Sequence, residues 1–221
     1  MQIQWFGQSC FKITSKSTNG DVILVTDPYA NKYGLKKPKL SADIITVSHN
    51  HEDHNDCQSV KGTSNTPDPF IIKGPGEYEF KGIFIYGIPS YHDNEHGAQR
   101  GQNTIYVIST EGITVTHLGD IGERELTAEQ LEYVEDSDIL LIPVGGKYTI
   151  DGKEAAKLVS QIEPRIVIPM HYKIPGLNLE IDSADKFIKE IGNKKEELDK
   201  LRIVKKDLPQ EETKLVILKP L

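Results

Sequence analysis

The sequence predicts an α/β protein in which helices pack on β-sheets, and three observations predict it. The first half is a succession of short, β-branched apolar runs separated by Gly and Pro. The second half alternates such runs with helix-like segments. The ends of several runs carry His and Asp, as expected where an α/β protein gathers its chemistry beyond the carboxyl ends of strands. No linker, low-complexity segment or clear repeat interrupts the 221 residues, so one domain spanning 1–221 is expected.

The elements follow in order. "IQWFGQSCFKI" alternates apolar and polar residues like a strand, with Trp5, Phe11 and Ile13 as core candidates and Cys10 inside the strand. "DVILVTDP" is a strand stopped by Pro28, and "ADIITVSH" is another. "PFIIKGPGEYEFKGIFIYGIPSYH" reads as three short strands punctuated by Gly74, Pro75, Gly76 and Gly82. "NTIYVISTEGITVTHLGD" reads as a hairpin turning at Glu111-Gly112. "TAEQLEYV" opens a helix with Thr127 and Gln130 at capping-box spacing. "SDILLIPVG" is a buried strand, and "DGKEAAKLVSQIEP" a helix begun by Asp151 and Glu154 and ended before Pro164. "RIVIPMHY" is a strand, "SADKFIKEIG" a helix begun by Ser183, and Thr213 to Leu218 a last strand.

Composition excludes several classes. Net charge is −7 with acidic and basic residues interspersed, which opposes broad contact with nucleic acid. No apolar run approaches the ~18 residues that would span a bilayer. The start of the chain lacks the basic segment and continuous apolar core of a signal peptide. Two cysteines give no disulfide framework, and a reducing cytoplasm is the expected compartment.

One segment stands out. "SHNHEDHND", residues 48 to 56, places three histidines and two aspartates directly after an apolar run. His49-x-His51-x-Asp53-His54 offers imidazole nitrogen and carboxylate oxygen, which suit borderline divalent metals, zinc first. One loop cannot complete two metal spheres, so other strand ends must contribute. His92 follows "IFIYGIPSY", His117 and Asp120 follow "GITV", and His171 follows "RIVIPM". A lone histidine is more often a hydrogen-bonded structural residue than a ligand. Its recurrence after four apolar runs shifts that balance toward ligation.

These residues, His49-x-His51-x-Asp53-His54 after a strand, then His92, Gly119-Asp120 and His171, resemble the metallo-β-lactamase superfamily. "WFGQSCF", "TDP", "HLGD", "PVGGKYT" and "PMHY" are similar to landmarks of its small single-domain branch, which also holds ascorbate-6-phosphate lactonase-like enzymes. The resemblance covers essentially the whole chain. It implies a four-layer αβ/βα sandwich with two divalent ions, zinc in the first place and Mn or Fe as alternatives. His49, His51 and His92 would hold one ion, Asp53, His54 and His171 the other, and Asp120 would bridge. Asp27 matches an aspartate that supports the histidine loop; its other reading is a turn residue before Pro28. Gln8 is a departure, since many relatives carry histidine there.

No protein nucleophile is evident, so water must attack. Metal binding brings the pKa of water from ~16 to about 7, and Asp53 could both hold a metal and orient the hydroxide. The expected function is a metal-dependent hydrolase of an ester, lactone or phosphoester of a small, anionic molecule. A phosphodiesterase or nuclease and a non-catalytic metal-binding sensor are the rival readings. Arg100, Lys147 and Tyr148 are candidate substrate contacts, with a solvated loop charge as the alternative for Arg100. His117 is either a proton donor or a hydrogen-bonding residue behind the site. A small-molecule substrate is the expected partner, with no nucleic acid and no membrane, and a homo-oligomer is left open.

Overall fold

A computed structural model describes residues 1–17, 20–192 and 194–221. β1 (Gln2–Trp5), β2 (Phe11–Ser17), β3 (Gly20–Thr26), β4 (Ser41–Ala42), β5 (Ile44–Val47), β6 (Lys61–Gly62) and β7 (Phe70–Lys73) come first. β8 (Gly76–Phe80), β9 (Ile83–Tyr91), β10 (Gln102–Thr110) and β11 (Ile113–His117) follow. The chain then alternates: α1 (Ala128–Val134), β12 (Ile139–Pro143), α2 (Gly152–Ile162), β13 (Ile166–Met170), α3 (Asp185–Ile191), β14 (Lys195–Leu198), β15 (Leu201–Arg202) and β16 (Lys214–Leu218).

Two sheets result. One has the order β15-β1-β2-β3-β5-β7, the other β14-β16-β13-β12-β11-β10-β9-β8. Period-2 alternation decides which side chains meet between them. Val22 and Leu24 of β3, Ile44 of β5 and Ile72 of β7 join Ile83, Ile85 and Ile105 in one core. Val25, Ile45 and Val47 point the other way, into a second cluster with Tyr29, Leu40, Cys57 and Val60. The four-layer sandwich therefore has two unlike outer layers. Over the eight-stranded sheet lie helices, with Ala155, Leu158 and Ile162 of α2 in the core. Over the six-stranded sheet, among the described residues, lie the segment before β4, through Tyr29 and Leu40, and the segment after the histidine loop, through Cys57 and Val60 with its 3-10 turn at Cys57–Ser59.

Both capping boxes form. Thr127 and Gln130 exchange hydrogen bonds at the start of α1, as do Asp151 and Glu154 at α2. The third helix begins two residues after Ser183, whose Oγ accepts the Asp185 amide. One sequence expectation is revised: "IQWFGQSCFKI" is two strands, not one. A turn closed by Phe6 N donating to Cys10 O and Cys10 N donating to Gly7 O separates β1 from β2 and takes Cys10 out of the strand. Gly7 and Gln8 both adopt positive φ there, at 97° and 49°.

Strand direction gathers the loops. β3, β5 and β7 run parallel, and β2 runs antiparallel to β3, so the β1–β2 turn lies at the carboxyl end of β3. In the second sheet β11, β12 and β13 are parallel, and β9 shares their direction through antiparallel β10. The carboxyl ends of β3, β5, β9, β11, β12 and β13 thus supply Asp27, Ser48 to His54, His92, Asp120, Tyr148 and His171.

Candidate metal centre

The structure brings the candidate ligands together. Ligand atoms of His49, His51 and His92 all lie within 4.8 Å of one another, and so do those of Asp53, His54 and His171. Asp120 sits between the groups. Its Oδ2 is 3.1 Å from His171 Nε2, 3.2 Å from His54 Nε2 and 3.5 Å from His92 Nε2.

The surrounding hydrogen bonds fix which imidazole nitrogens are free. Asp27 is fully buried. Its Oδ1 accepts from Ser48 N at 2.7 Å, and its Oδ2 from Ser48 Oγ at 2.6 Å and from His54 Nδ1 at 2.9 Å. The Ser48 hydroxyl, having donated to Asp27, accepts from His49 Nδ1 at 2.9 Å. The Nδ1 atoms of both rings thus point at protein acceptors, and His49 Nε2 and His54 Nε2 are the atoms turned toward the centre. Those two atoms, with His171 Nε2, are buried without a hydrogen-bond partner. Buried polar atoms rarely go unpaired, and here five of the unpaired atoms among the described residues are imidazole nitrogens of the candidate ligands His49, His54, His92 and His171. This donor set fits a divalent metal centre. Residue 119 must be glycine: its φ is +59°, and a Cβ would stand 2.3 Å from Asn103 Oδ1 and 2.7 Å from Ser48 Cβ.

The electrostatics follow from burial and this crowding. Burial opposes charge on His54, but Asp120, Asp53 and Asp27 outweigh it and push the imidazole well above its usual range. Burial, with the His54 charge, drives His49 down to about 2 and keeps it neutral. His92 is lowered, mainly by burial. Burial works to protonate Asp120 and Asp53, yet the histidines around them hold both carboxyls well below the ordinary carboxylate value.

Two buried residues that the sequence did not single out as site residues support the centre and its loop. Ser9 Oγ donates to Asp120 Oδ1 at 3.1 Å. Asp93 accepts four backbone amides, from Glu95 and Gly97 on Oδ1 and from Gln99 and Arg100 on Oδ2. Gln8, read as a departure, donates from Nε2 to Asp53 Oδ2 at 3.3 Å, and its carbonyl accepts the His171 amide. An aspartate next to a histidine in a polar loop carries no sign in the sequence that it will organise the loop.

A 480 Å³ cleft opens over the centre, floored by His51, Asp53, His92, Asp120 and His171 and walled by Tyr33, Arg100, Tyr148 and Leu179. Two wider hollows, of 620 and 650 Å³, contain no histidine, so size alone does not mark the site. Arg100 donates from Nη2 to Lys147 O at 3.1 Å and lies 5.8 Å from the centre of the Tyr148 ring. Two further candidates lie outside the cleft. Lys147 is absent from the lining, and its Nζ pairs with Glu180 at 2.7 Å on the surface. His117 is fully buried, with Nε2 donating to Ser9 O at 2.9 Å and Nδ1 accepting from Gly119 N. Both ring nitrogens are engaged within the protein, the arrangement of the second of its two readings, a hydrogen-bonding residue behind the site.

Comparisons with known proteins agree on the kind of chain. The family profile described as "Beta-lactamase superfamily domain" matches residues 2–171. A UPF0173 metal-dependent hydrolase of Thermococcus onnurineus is 30% identical, over 89% of this chain and 94% of its own length. A crystal structure from Thermotoga maritima, of a candidate Zn-dependent hydrolase of the metallo-β-lactamase superfamily, is 33% identical with a TM-score of 0.77, covering 98% of this chain and 97% of its own. A metallo hydrolase of Ignicoccus hospitalis, 21% identical over 99% of this chain and 95% of its own with a TM-score of 0.65, shares the fold.

Proposed function

The chain belongs to the β-lactamase superfamily, and on that footing we propose that it is a metal-dependent hydrolase that cleaves an ester, lactone or phosphoester of a small anionic molecule by attack of water. The observation that carries this reading is the convergence of His49, His51, Asp53, His54, His92 and His171 about Asp120, with buried imidazole nitrogens that lack hydrogen-bond partners at the floor of a small-molecule cleft. In this reading His49, His51 and His92 would hold one ion and Asp53, His54 and His171 the other, with Asp120 contributing between them. A nitrogen-rich set with carboxylates favours zinc, with Mn or Fe as alternatives. The ions supply Lewis acidity, which acidifies a bound water to near neutral pH and polarises the substrate oxygen.

The rest is the work of the chain. Asp27 keeps the protons of His49 and His54 on the nitrogens that face away from the centre. Asp53, anchored on one oxygen by Gln8, would help to hold the metal and to orient the attacking water. Arg100 binds the non-reacting anionic end at the cleft wall. A cleft of this volume suits a small substrate.

The test combines elemental analysis after metal-replete purification with a hydrolysis screen of lactones, esters and phosphoesters. Two ions per chain are expected, with less bound by His51→Ala and Asp120→Ala. Unchanged stoichiometry in both variants sinks the ligand assignment, and a metal-replete protein inert on all three classes sinks the reaction.

A further inference from the structure

We infer that the substrate is an amphiphilic anion, with an apolar body seated against Tyr33, Tyr148 and Leu179 and its carboxylate or phosphate on Arg100. The inference rests on the hydrolase reading for what happens at the floor of the cleft, but it concerns binding alone.

The first observation is an arginine without a side-chain partner. The chain has four arginines. Arg124 pairs with Glu154, Arg165 with Asp138, and Arg202 donates to the Gln2 side chain. Among the described residues Arg100 alone meets no side-chain oxygen; it spends one donor on Lys147 O and leans on the Tyr148 ring. The remaining N–H groups of its fork are uncommitted at the wall of a cleft, in the geometry that takes a carboxylate or phosphate through two hydrogen bonds.

The second observation is how the apolar wall is built. Tyr33 has φ +52°, and Lys147, directly before Tyr148, has φ +58°. A bulky residue in left-handed backbone is costly and persists only where its surroundings hold it. Tyr33 is held: its carbonyl accepts Asn178 N at 2.7 Å, and Gly34 packs so closely that a Cβ would stand 2.2 Å from Gly176 O. The loop carrying Tyr33 is thereby tied to the loop carrying Leu179, and both side chains line the cleft only partly buried. Tyr148 hydroxyl and Tyr33 hydroxyl have no protein acceptor among the described residues, so these rings are not there to satisfy internal hydrogen bonds. Strained turns from opposite sides deliver two aromatic rings beside one free guanidinium. A purely polar metabolite would leave that wall unused, and a neutral apolar one would leave the arginine unused.

The test is equilibrium binding to the metal-loaded protein of three small probes: benzoate, acetate and benzyl alcohol. Acetate keeps the charge without the ring, and benzyl alcohol keeps the ring without the charge. Acetate also shares any affinity of a carboxylate for the metals, so the benzoate-to-acetate ratio isolates the wall. Benzoate is expected to bind at least tenfold more tightly than either. Arg100→Gln should weaken benzoate and acetate alike while leaving benzyl alcohol unchanged, and Tyr33→Ala should bring benzoate down to the level of acetate, with metal content unchanged in both. Arg100→Lys, which keeps the charge and loses the fork, should fall between. Benzoate binding no tighter than acetate, or binding unchanged by Arg100→Gln and Tyr33→Ala, overturns the inference. Neither result depends on turnover. Selective benzoate binding by a protein inert in the hydrolysis screen upholds the inference and fails the reaction, and hydrolysis without this selectivity does the reverse.

Discussion

Asp27 shows how much one side chain decides. It is fully buried, held at φ +41°, and serves three donors, one of which is the His54 ring. An acceptor behind a ligating histidine typically changes metal affinity by 10–100-fold. Asp27→Asn removes the charge and should weaken metal binding on that scale, read by competition against a chromogenic chelator; unchanged affinity would reduce Asp27 to a turn residue. His117 gives the opposite expectation. His117→Phe should cost about 1–3 kcal/mol of stability, since Gly119 N loses its acceptor. The pH profile of hydrolysis by that variant should keep its shape, and a lost limb would return a proton-moving role to His117. The ligand loop was legible because histidine and aspartate clustered in six residues have little other use. Ser9 was not, because apolar residues on both sides of "GQS" read as one strand and hide the turn that brings Ser9 to Asp120.

Among elements, the loop from Asp93 to Gly101 hangs on one carboxylate. Asn offers one acceptor oxygen where Asp offers two, so Asp93→Asn must release amides. Faster hydrogen exchange at Gln99 and Arg100, or at Glu95 and Gly97, is the expected outcome, with substrate binding weakened and metal retained. Equal exchange in both proteins would mean that the glycines, not Asp93, shape the loop. Asp43 does similar work at the far side of β5. It is buried and accepts from Ile23 N, Thr63, Thr66 and Lys81. Burial opposes its ionisation, yet Thr66, Ile23 N, Thr63 and Lys81 together hold the carboxyl below its ordinary value. The folded state therefore binds this proton less readily than the unfolded chain does. The contribution is fully present above about pH 4 and fades as the pH falls below it. Asp43→Asn should cost about 1–3 kcal/mol at pH 6, and the gap from the parent in urea unfolding should narrow toward pH 3. A gap independent of pH would show that the charge contributes nothing. Caps and apolar strands were readable because their chemistry is local. β14 was not, because "KEEL" is a polar sheet edge held by backbone pairing to β16, with no buried face to impose a period.

For the whole molecule, sequence foretells two sheets but not their order. Pairing of β15 with β1, and of β14 with β16, joins segments about 200 residues apart in one case and about 20 in the other, and neither leaves a local signal. The resulting division of labour predicts how the protein responds to metal removal. The main core runs between the sheets and under α2, from Ile3 to Leu218, and none of the candidate ligands belongs to it. The ligands lie along one edge, where His54 already has Asp27, Asp53 and Asp120 as partners within the protein. Chelation should accordingly leave the far-UV circular dichroism spectrum unchanged while lowering Tm. A ligand at 100 times its Kd adds about 2.7 kcal/mol to the folded state. For a chain of this size that corresponds to roughly 5–10 °C. Adding zinc back should restore the parent Tm, and His51→Ala should show a smaller shift because it holds less metal. Loss of the far-UV signal on chelation would make the metal part of the folding nucleus rather than a guest on a finished scaffold. A Tm indifferent to both chelator and zinc would mean that the histidine edge holds no metal at all.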